Sequence, residues 1–188
     1  MRIAAKENHV EIAELLIRHG ADIENGSVIS QKALPLLMAT YGNSYEFVKL
    51  LIENGANINA QDSSDGLTGL HIAIYHKNFR MVKLLVNEGA NLELRCFQLE
   101  TPLYCAFADG EPEIFELLIS VGANVNSLTP DNDTLLHCCV KDDEDLDFAK
   151  ILLQNGALLT IKNQQRKTPF EVAMSNKKLS SMKLMMFH

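Results

Sequence analysis

One tripeptide sets the architecture open to this chain. Gly20-Ala21-Asp22 returns as Gly55-Ala56-Asn57, Gly89-Ala90-Asn91, Gly122-Ala123-Asn124 and Gly156-Ala157-Leu158, the glycines lying 35, 34, 33 and 34 residues apart. Recurrence at a fixed interval of a few tens of residues marks a stacked-repeat fold, in which a unit buries its apolar face only against its neighbours. Each glycine closes a run of helical periodicity, such as Phe47-Val48-Lys49-Leu50-Leu51-Ile52 or Ile114-Phe115-Glu116-Leu117-Leu118-Ile119. The apolar residues of such a run form one broad stripe. A glycine just past the last turn supplies the left-handed conformation that ends a helix.

A second signal precedes each of these helices. It reads Leu34-Pro35-Leu36-Leu37, Thr68-Gly69-Leu70-His71, Thr101-Pro102-Leu103-Tyr104, Thr134-Leu135-Leu136-His137 and Thr168-Pro169-Phe170-Glu171. Threonine before proline starts a helix: the hydroxyl caps it, and proline takes the first position, where its missing N–H costs nothing. Small residues follow at Ala39, Ala73, Ala106, Cys139 and Ala173, where they let the short first helix approach its neighbour closely.

Together the two signals resemble the ankyrin repeat, a β-turn finger and two antiparallel helices with a Thr-Pro-Leu-His…Ala-Ala…Gly-Ala-Asp pattern of about 33 residues. The resemblance covers essentially the whole chain. It implies an all-α solenoid of helix-turn-helix units with β-turn fingers, a single domain over 1–188. The repeats fall at about 1–28, 29–62, 63–95, 96–128, 129–162 and 163–188. The first unit enters inside its first helix and the last stops inside its second, which fits either a segment of a longer solenoid or a small complete protein with makeshift caps. The glycine-to-threonine interval is twelve residues in the later units. It is one residue longer around Ser63-Ser64 and two longer across Glu24 to Lys32. Insertions of this kind change a loop and leave the stack intact.

The chain has 47% hydrophobic and 22% charged residues, a globular composition. No apolar run approaches the roughly 18 residues that span a bilayer, and Arg2, Lys6 and Glu7 make the start too charged for a signal peptide. Membrane insertion is not expected. Cys138 and Cys139 are adjacent, and Cys105 and Cys138 share one slot in successive repeats. Helices stacked about 8–10 Å apart exceed the roughly 7 Å Cα separation a disulfide tolerates. The thiols therefore read as structural, and cytosol or nucleus is the expected location; for a secreted effector it would be a host cytosol.

The net charge of −7 is uneven. From Lys162 onward six basic residues face only Glu171, so the tail carries +5 and the remainder −12. An acidic body repels phosphate backbones, which argues against nucleic acid as main ligand and for a protein partner with a basic segment. The apolar end formed by Met182, Met185, Met186 and Phe187 is expected to serve self-association if exposed.

Ankyrin-like arrays bind partners on the face made by finger tips and first helices. The resemblance therefore places the candidate partner-binding residues there: Tyr41, Tyr75, His76 and Asp109 at first-helix ends, and Leu67, Phe97, Leu99, Asp131 and Asp133 on fingers. Asp142 joins them at the start of an acidic loop. Another tip, Ile29-Ser30-Gln31-Lys32-Ala33, lies on the same face. Tyr41 and Tyr75 occupy one slot in adjacent repeats and should stand side by side, and aromatic residues make good interface anchors.

The family pattern makes His71 and His137 structural, bonded to turn backbone between repeats. Neither zinc spacing nor a phosphate loop is present, and the acidic run lacks the turn glycine of a calcium loop. No cofactor, metal or catalytic residue is expected. The expected function is a protein-protein interaction module acting as scaffold, adaptor or inhibitor. Two variants stand beside it. One is a substrate-recruiting segment of a larger enzyme, channel, ubiquitin-ligase adaptor or microbial effector. The other is a small acidic inhibitor resembling the inhibitor-of-NF-κB type.

Overall fold

The computed structural model describes residues 1–24, 34–142 and 145–187, with Arg2 and Asp142 described through their backbone alone. Along these residues run α1 (Arg2–Lys6), α2 (Val10–Arg18), α3 (Pro35–Tyr41), α4 (Tyr45–Glu53), α5 (Gly69–Tyr75), α6 (Phe79–Asn87), α7 (Pro102–Ala108), α8 (Pro112–Ser120), α9 (Leu135–Asp142), α10 (Leu146–Gln154), α11 (Pro169–Ser175) and α12 (Leu179–Met186). They alternate short first helix with longer second helix, six pairs in all. Extended pairing among the described residues is limited to two antiparallel bridges, Gln61 with Thr68 and Leu128 with Thr134, at the bases of two fingers.

The second helices end as the glycine signal requires. Gly55 takes φ +87°; its N–H donates to Ile52 O at 2.9 Å, and the Ala56 N–H reaches back to Leu51 O at 3.0 Å. These are the paired bonds of a Schellman cap. A Cβ on Gly55 would meet nothing within 4 Å. The left-handed backbone, rather than crowding, therefore selects glycine.

The first helices start on threonine. The Thr68, Thr101 and Thr168 hydroxyls accept from the N–H of His71, Tyr104 and Glu171, and Glu171 returns its carboxylate to the Thr168 N–H. Where the sequence reads Leu34 in place of threonine, no side chain caps α3.

Contacts divide the chain into two compact units, Met1–Gln98 and Leu99–His188. In the first, α1 packs on α3, α3 on α5 and α2 on α4; Leu37, Phe47, Leu51, Ile74, Met81 and Leu85 are wholly buried. In the second, α9 packs on α11 and α10 on α12, over Leu103, Phe115, Leu118 and Leu152. Phe115 also meets the Phe148 ring edge-on at 4.9 Å between centroids. Each such side chain contributes about 1.5–3 kcal/mol by leaving water. The small-residue slot is buried at Ala39, Ala73, Ala106, Cys139 and Ala173, as close helix approach demands.

Asparagines tie repeat to repeat. After three of the five Gly-Ala pairs, Asn57, Asn91 and Asn124 turn the chain by accepting the N–H two residues on. The next asparagine then accepts from the following repeat: Asn59 from the Asn91 N–H and Asn126 from the Leu158 N–H, both at 2.8 Å. In the first repeat Glu24 does this for the Asn57 N–H at 2.7 Å.

Candidate functional site

In Met1–Gln98 the candidate residues converge. Tyr41 and Tyr75, at the ends of α3 and α5, flank the His76 ring. Their centroids lie 6.3 and 5.7 Å from it, both edge-on. Tyr75 is 73% exposed and Tyr41 44%, so the three rings form a stepped aromatic ridge open to solvent.

The ridge is anchored at one end. The Tyr41 hydroxyl donates to Asp62 Oδ2 at 3.2 Å, while Asp62 Oδ1 accepts from the Asp65 and Leu67 N–H groups at 2.9 and 3.1 Å. Asp62 is itself buried. Burial works to raise its pKa, but those two amides and the Tyr41 and Ser64 hydroxyls hold the carboxyl below its ordinary value. The Tyr41 phenol moves the other way, pushed up to about 12 by burial and by the negative charge of Asp62. A pinned tyrosine loses little side-chain entropy when a partner settles on it.

The finger itself is interlocked. The Phe97 N–H donates to Asp65 O at 2.7 Å, and the Phe97 ring lies against Gly66, where a Cβ would come within 2.5 Å of Cδ1. Phe97 nonetheless stays 61% exposed, and Leu67 is half-buried.

In the second unit, Leu99 is exposed and Asp131 exposed, while Asp109 caps the end of α7 and is half-buried. Leu99 takes φ +64°, a conformation that costs an ordinary side chain roughly 1–2 kcal/mol. The same tip position in other fingers holds Gly66, Asn132 and Arg166, all left-handed. Nothing in the periodicity of the sequence marks this strain; only aligning the finger tips by structure exposes it.

Asp133 corrects the expectation of an outward-facing charge. It is 5% exposed, and its carboxylate accepts from Lys141 Nζ and Asn163 Nδ2, both at 2.7 Å. Burial opposes ionisation, but these two donors hold the Asp133 pKa below its ordinary value. Asp133 thus binds one finger to the next within the unit. Of Asp142 the structure gives backbone alone, and Ile29-Ser30-Gln31-Lys32-Ala33 lies outside the described residues.

His137 performs the part the resemblance implied. Its Nδ1 accepts the Thr134 N–H at 3.2 Å, and Nε2 lies 3.0 Å from Lys167 O in the next finger. With Nδ1 accepting, the proton sits on Nε2, and the ring is neutral. The Cys139 thiol fills the small-residue slot, its pKa raised by burial; Cys138 is likewise pushed up to about 11. All four cysteines are free. Among the described residues no three His, Cys, Asp or Glu side chains converge, and no helix is long and apolar enough to cross a membrane.

Helix pairs, capped fingers and a repeat-to-repeat asparagine ladder define a helical repeat solenoid. Models of ankyrin repeats match residues 1–62 and 36–129, and a single ankyrin repeat matches 131–164. The chain belongs to the ankyrin repeat family. Ankyrin repeats are a protein-protein interaction module.

Among solved structures, an ankyrin repeat domain from Acinetobacter baumannii superposes with a TM-score of 0.85 at 22% identity, over 99% of this chain and 95% of that one. That likeness shows the fold alone. By sequence, an ankyrin repeat protein of fowlpox virus is 37% identical over 71 residues, 38% of this chain and 21% of that protein. The nuclear factor NF-kappa-B p105 subunit of chicken is 35% identical over 78 residues, 39% of this chain and 8% of that protein. The B-cell lymphoma 3 protein homolog of mouse is 38% identical over 73 residues, 39% of this chain and 16% of that protein. The chain thus matches about a fifth or less of each relative's length.

Proposed function

We propose that the first unit binds a partner protein on the aromatic ridge Tyr41–His76–Tyr75, bordered by the finger residues Leu67 and Phe97. The observation that carries this reading is the ridge itself: contiguous exposed rings with one end pinned to a buried carboxylate. Large rigid aromatics give much contact area at little entropic cost and dominate interface energies. Strained Leu99 supports a partner contact on the second unit, since strain retained at an exposed tip is characteristic of binding sites. Asp131, exposed on its finger, offers a carboxylate to a basic segment of that partner, in keeping with the net charge of −7. The cytosol or nucleus is the proposed setting.

Capture from lysate by the wild-type chain and by Tyr75→Ala/His76→Ala, with matched circular dichroism, tests the reading. Loss of one captured protein from the folded variant is the expected result, and equal capture by both would overturn it. A second reading, that the chain recruits substrates for a larger protein, is favoured by the small share of each relative that it matches. The likeness to the NF-kappa-B p105 subunit, together with the acidic charge, favours an inhibitor that masks a basic segment.

A further inference from the structure

The second helices share one exposed slot in their first turn. Glu11, Glu46, Glu113 and Asp147 fill it on α2, α4, α8 and α10, and all four are exposed. An acidic side chain there complements the positive end of the helix dipole. On α12 the slot holds Ser180, and the first turn has no acidic residue. Ser180 is exposed too, whereas its neighbour Ser181 is 0% exposed. The slot is equally open on α4 and α8, which further repeats follow, so the exposure of Ser180 is a property of the slot.

A lysine stands one turn further along. On α10, Asp147 accepts from Lys150 Nζ at 2.7 Å. Ser180 and Lys183 occupy the same two slots one repeat later, so an anion carried by Ser180 would meet Lys183 as Asp147 meets Lys150. Lys150 reaches the same place, since Ser180, Lys150 and Lys183 line one groove of about 430 Å³ between α10 and α12. Asp147 opposes a second negative charge nearby, but it is 89% exposed and paired with Lys150, so its repulsion is screened by solvent and salt.

Two further features bear on how such an anion could arise. Lys177 and Lys178 precede Ser180 by three and two residues, and charge patterns beside the acceptor are a means by which kinases choose substrates. No side chain caps α12, so its first turn opens at lower cost than the threonine-capped first helices. We propose that Ser180 is phosphorylated by a kinase that selects basic residues ahead of its serine, and that Lys183 and Lys150 then hold the phosphate. In the transfer the Ser180 oxygen attacks the γ-phosphorus of ATP and forms the new O–P bond. The bridging bond to the β-phosphate breaks, ADP leaves, and a base of the kinase takes the hydroxyl proton. The product carries about −1.5 to −2 charge at pH 7 and presents three strong acceptor oxygens. It fastens α12 to α10 across the groove. No residue of the aromatic ridge takes part.

The full chain, treated with MgATP and a serine kinase of that specificity, provides the test. Tandem mass spectrometry locates the phosphate and thermal unfolding measures its effect. Phosphate is expected on Ser180 and not on buried Ser181, and Lys177→Ala/Lys178→Ala should lose it. The unfolding midpoint of the phosphorylated chain should rise by about 2–4 °C. Lys150→Ala/Lys183→Ala should still be phosphorylated but lose that rise. Lys150, Lys177 and Lys183 are exposed and Lys178 is half-buried, so these variants should fold, which circular dichroism checks. A Ser180 left unmodified, or labelling that persists without Lys177 and Lys178, would overturn the proposal. So would a midpoint that does not rise, or a rise that survives the loss of Lys150 and Lys183.

Discussion

The Tyr41 hydroxyl donates to Asp62 Oδ2 at 3.2 Å across 21 residues of chain, joining the end of one first helix to the finger that leads into the next. The bond links a surface ring to a buried turn, so it has both an electrostatic and a mechanical consequence. The Tyr41 phenol should ionise near pH 12. In ultraviolet titration, the transition missing from Tyr41→Phe should be the one near that value. Asp62→Asn removes the neighbouring charge and should bring it part of the way back toward 10.0, with burial and the charge of Asp65 accounting for what remains.

Tyr75 has no such anchor and is 73% exposed. Tyr75→Ala should therefore change stability by no more than about 0.5 kcal/mol. If the ridge is the partner surface, the same change should weaken binding by at least about tenfold. Chemical denaturation and calorimetric titration with the captured partner measure the two effects separately.

Leu99 reverses that balance. Glycine at its φ of +64° relieves left-handed strain, so Leu99→Gly should stabilise the chain by roughly 1 kcal/mol after allowing for glycine's extra chain entropy. If Leu99 meets the partner, the stabilised variant should bind less tightly. A variant that is more stable and binds equally well would show the side chain to be ordinary surface.

Gly66 answers to two constraints at once. Its φ is +69° and an added Cβ would lie 2.5 Å from Phe97 Cδ1. Gly66→Ala should cost about 1 kcal/mol for the backbone alone, with a further loss from displacing the Phe97 ring. In a double-mutant cycle with Phe97→Ala that further loss should vanish, while the backbone cost persists.

His137 makes stability depend on pH. Burial lowers its pKa below 6.5 in the folded chain, against the smaller opposing effects of Lys167 O and Asp133. The unfolded chain therefore binds the proton first. The stabilisation is complete above pH 6.5 and is lost as the pH falls through that value to the lower folded-state pKa. Protonation at Nδ1 would also break the bond from the Thr134 N–H. The denaturation midpoint should fall across this window, and the fall should be shallower in His137→Gln.

The repeat spacing, the glycine caps, the threonine caps and the small-residue slot were legible in the sequence. Each rests on backbone geometry spanning a few residues, and the same local rules recur from repeat to repeat. The paired placement of Tyr41 and Tyr75 was legible for a related reason, because equal slots in adjacent repeats fall side by side. His76 was named from its helix-end position, but its place between the two rings came from the packing.

The fate of individual polar groups was decided only by the tertiary structure. Asp131 and Asp133 look alike in sequence, yet one is exposed and the other is buried, held by Lys141 from 8 residues away and Asn163 from 30. Left-handed Leu99 gave no sign either, because its conformation is imposed by the finger rather than chosen by leucine. The sequence by itself determined where helices begin, end and bury their stripes, since those depend on neighbours along the chain. Which carboxylates face solvent, which rings are pinned and where strain is held depend on partners brought close by stacking, and folding alone supplies them.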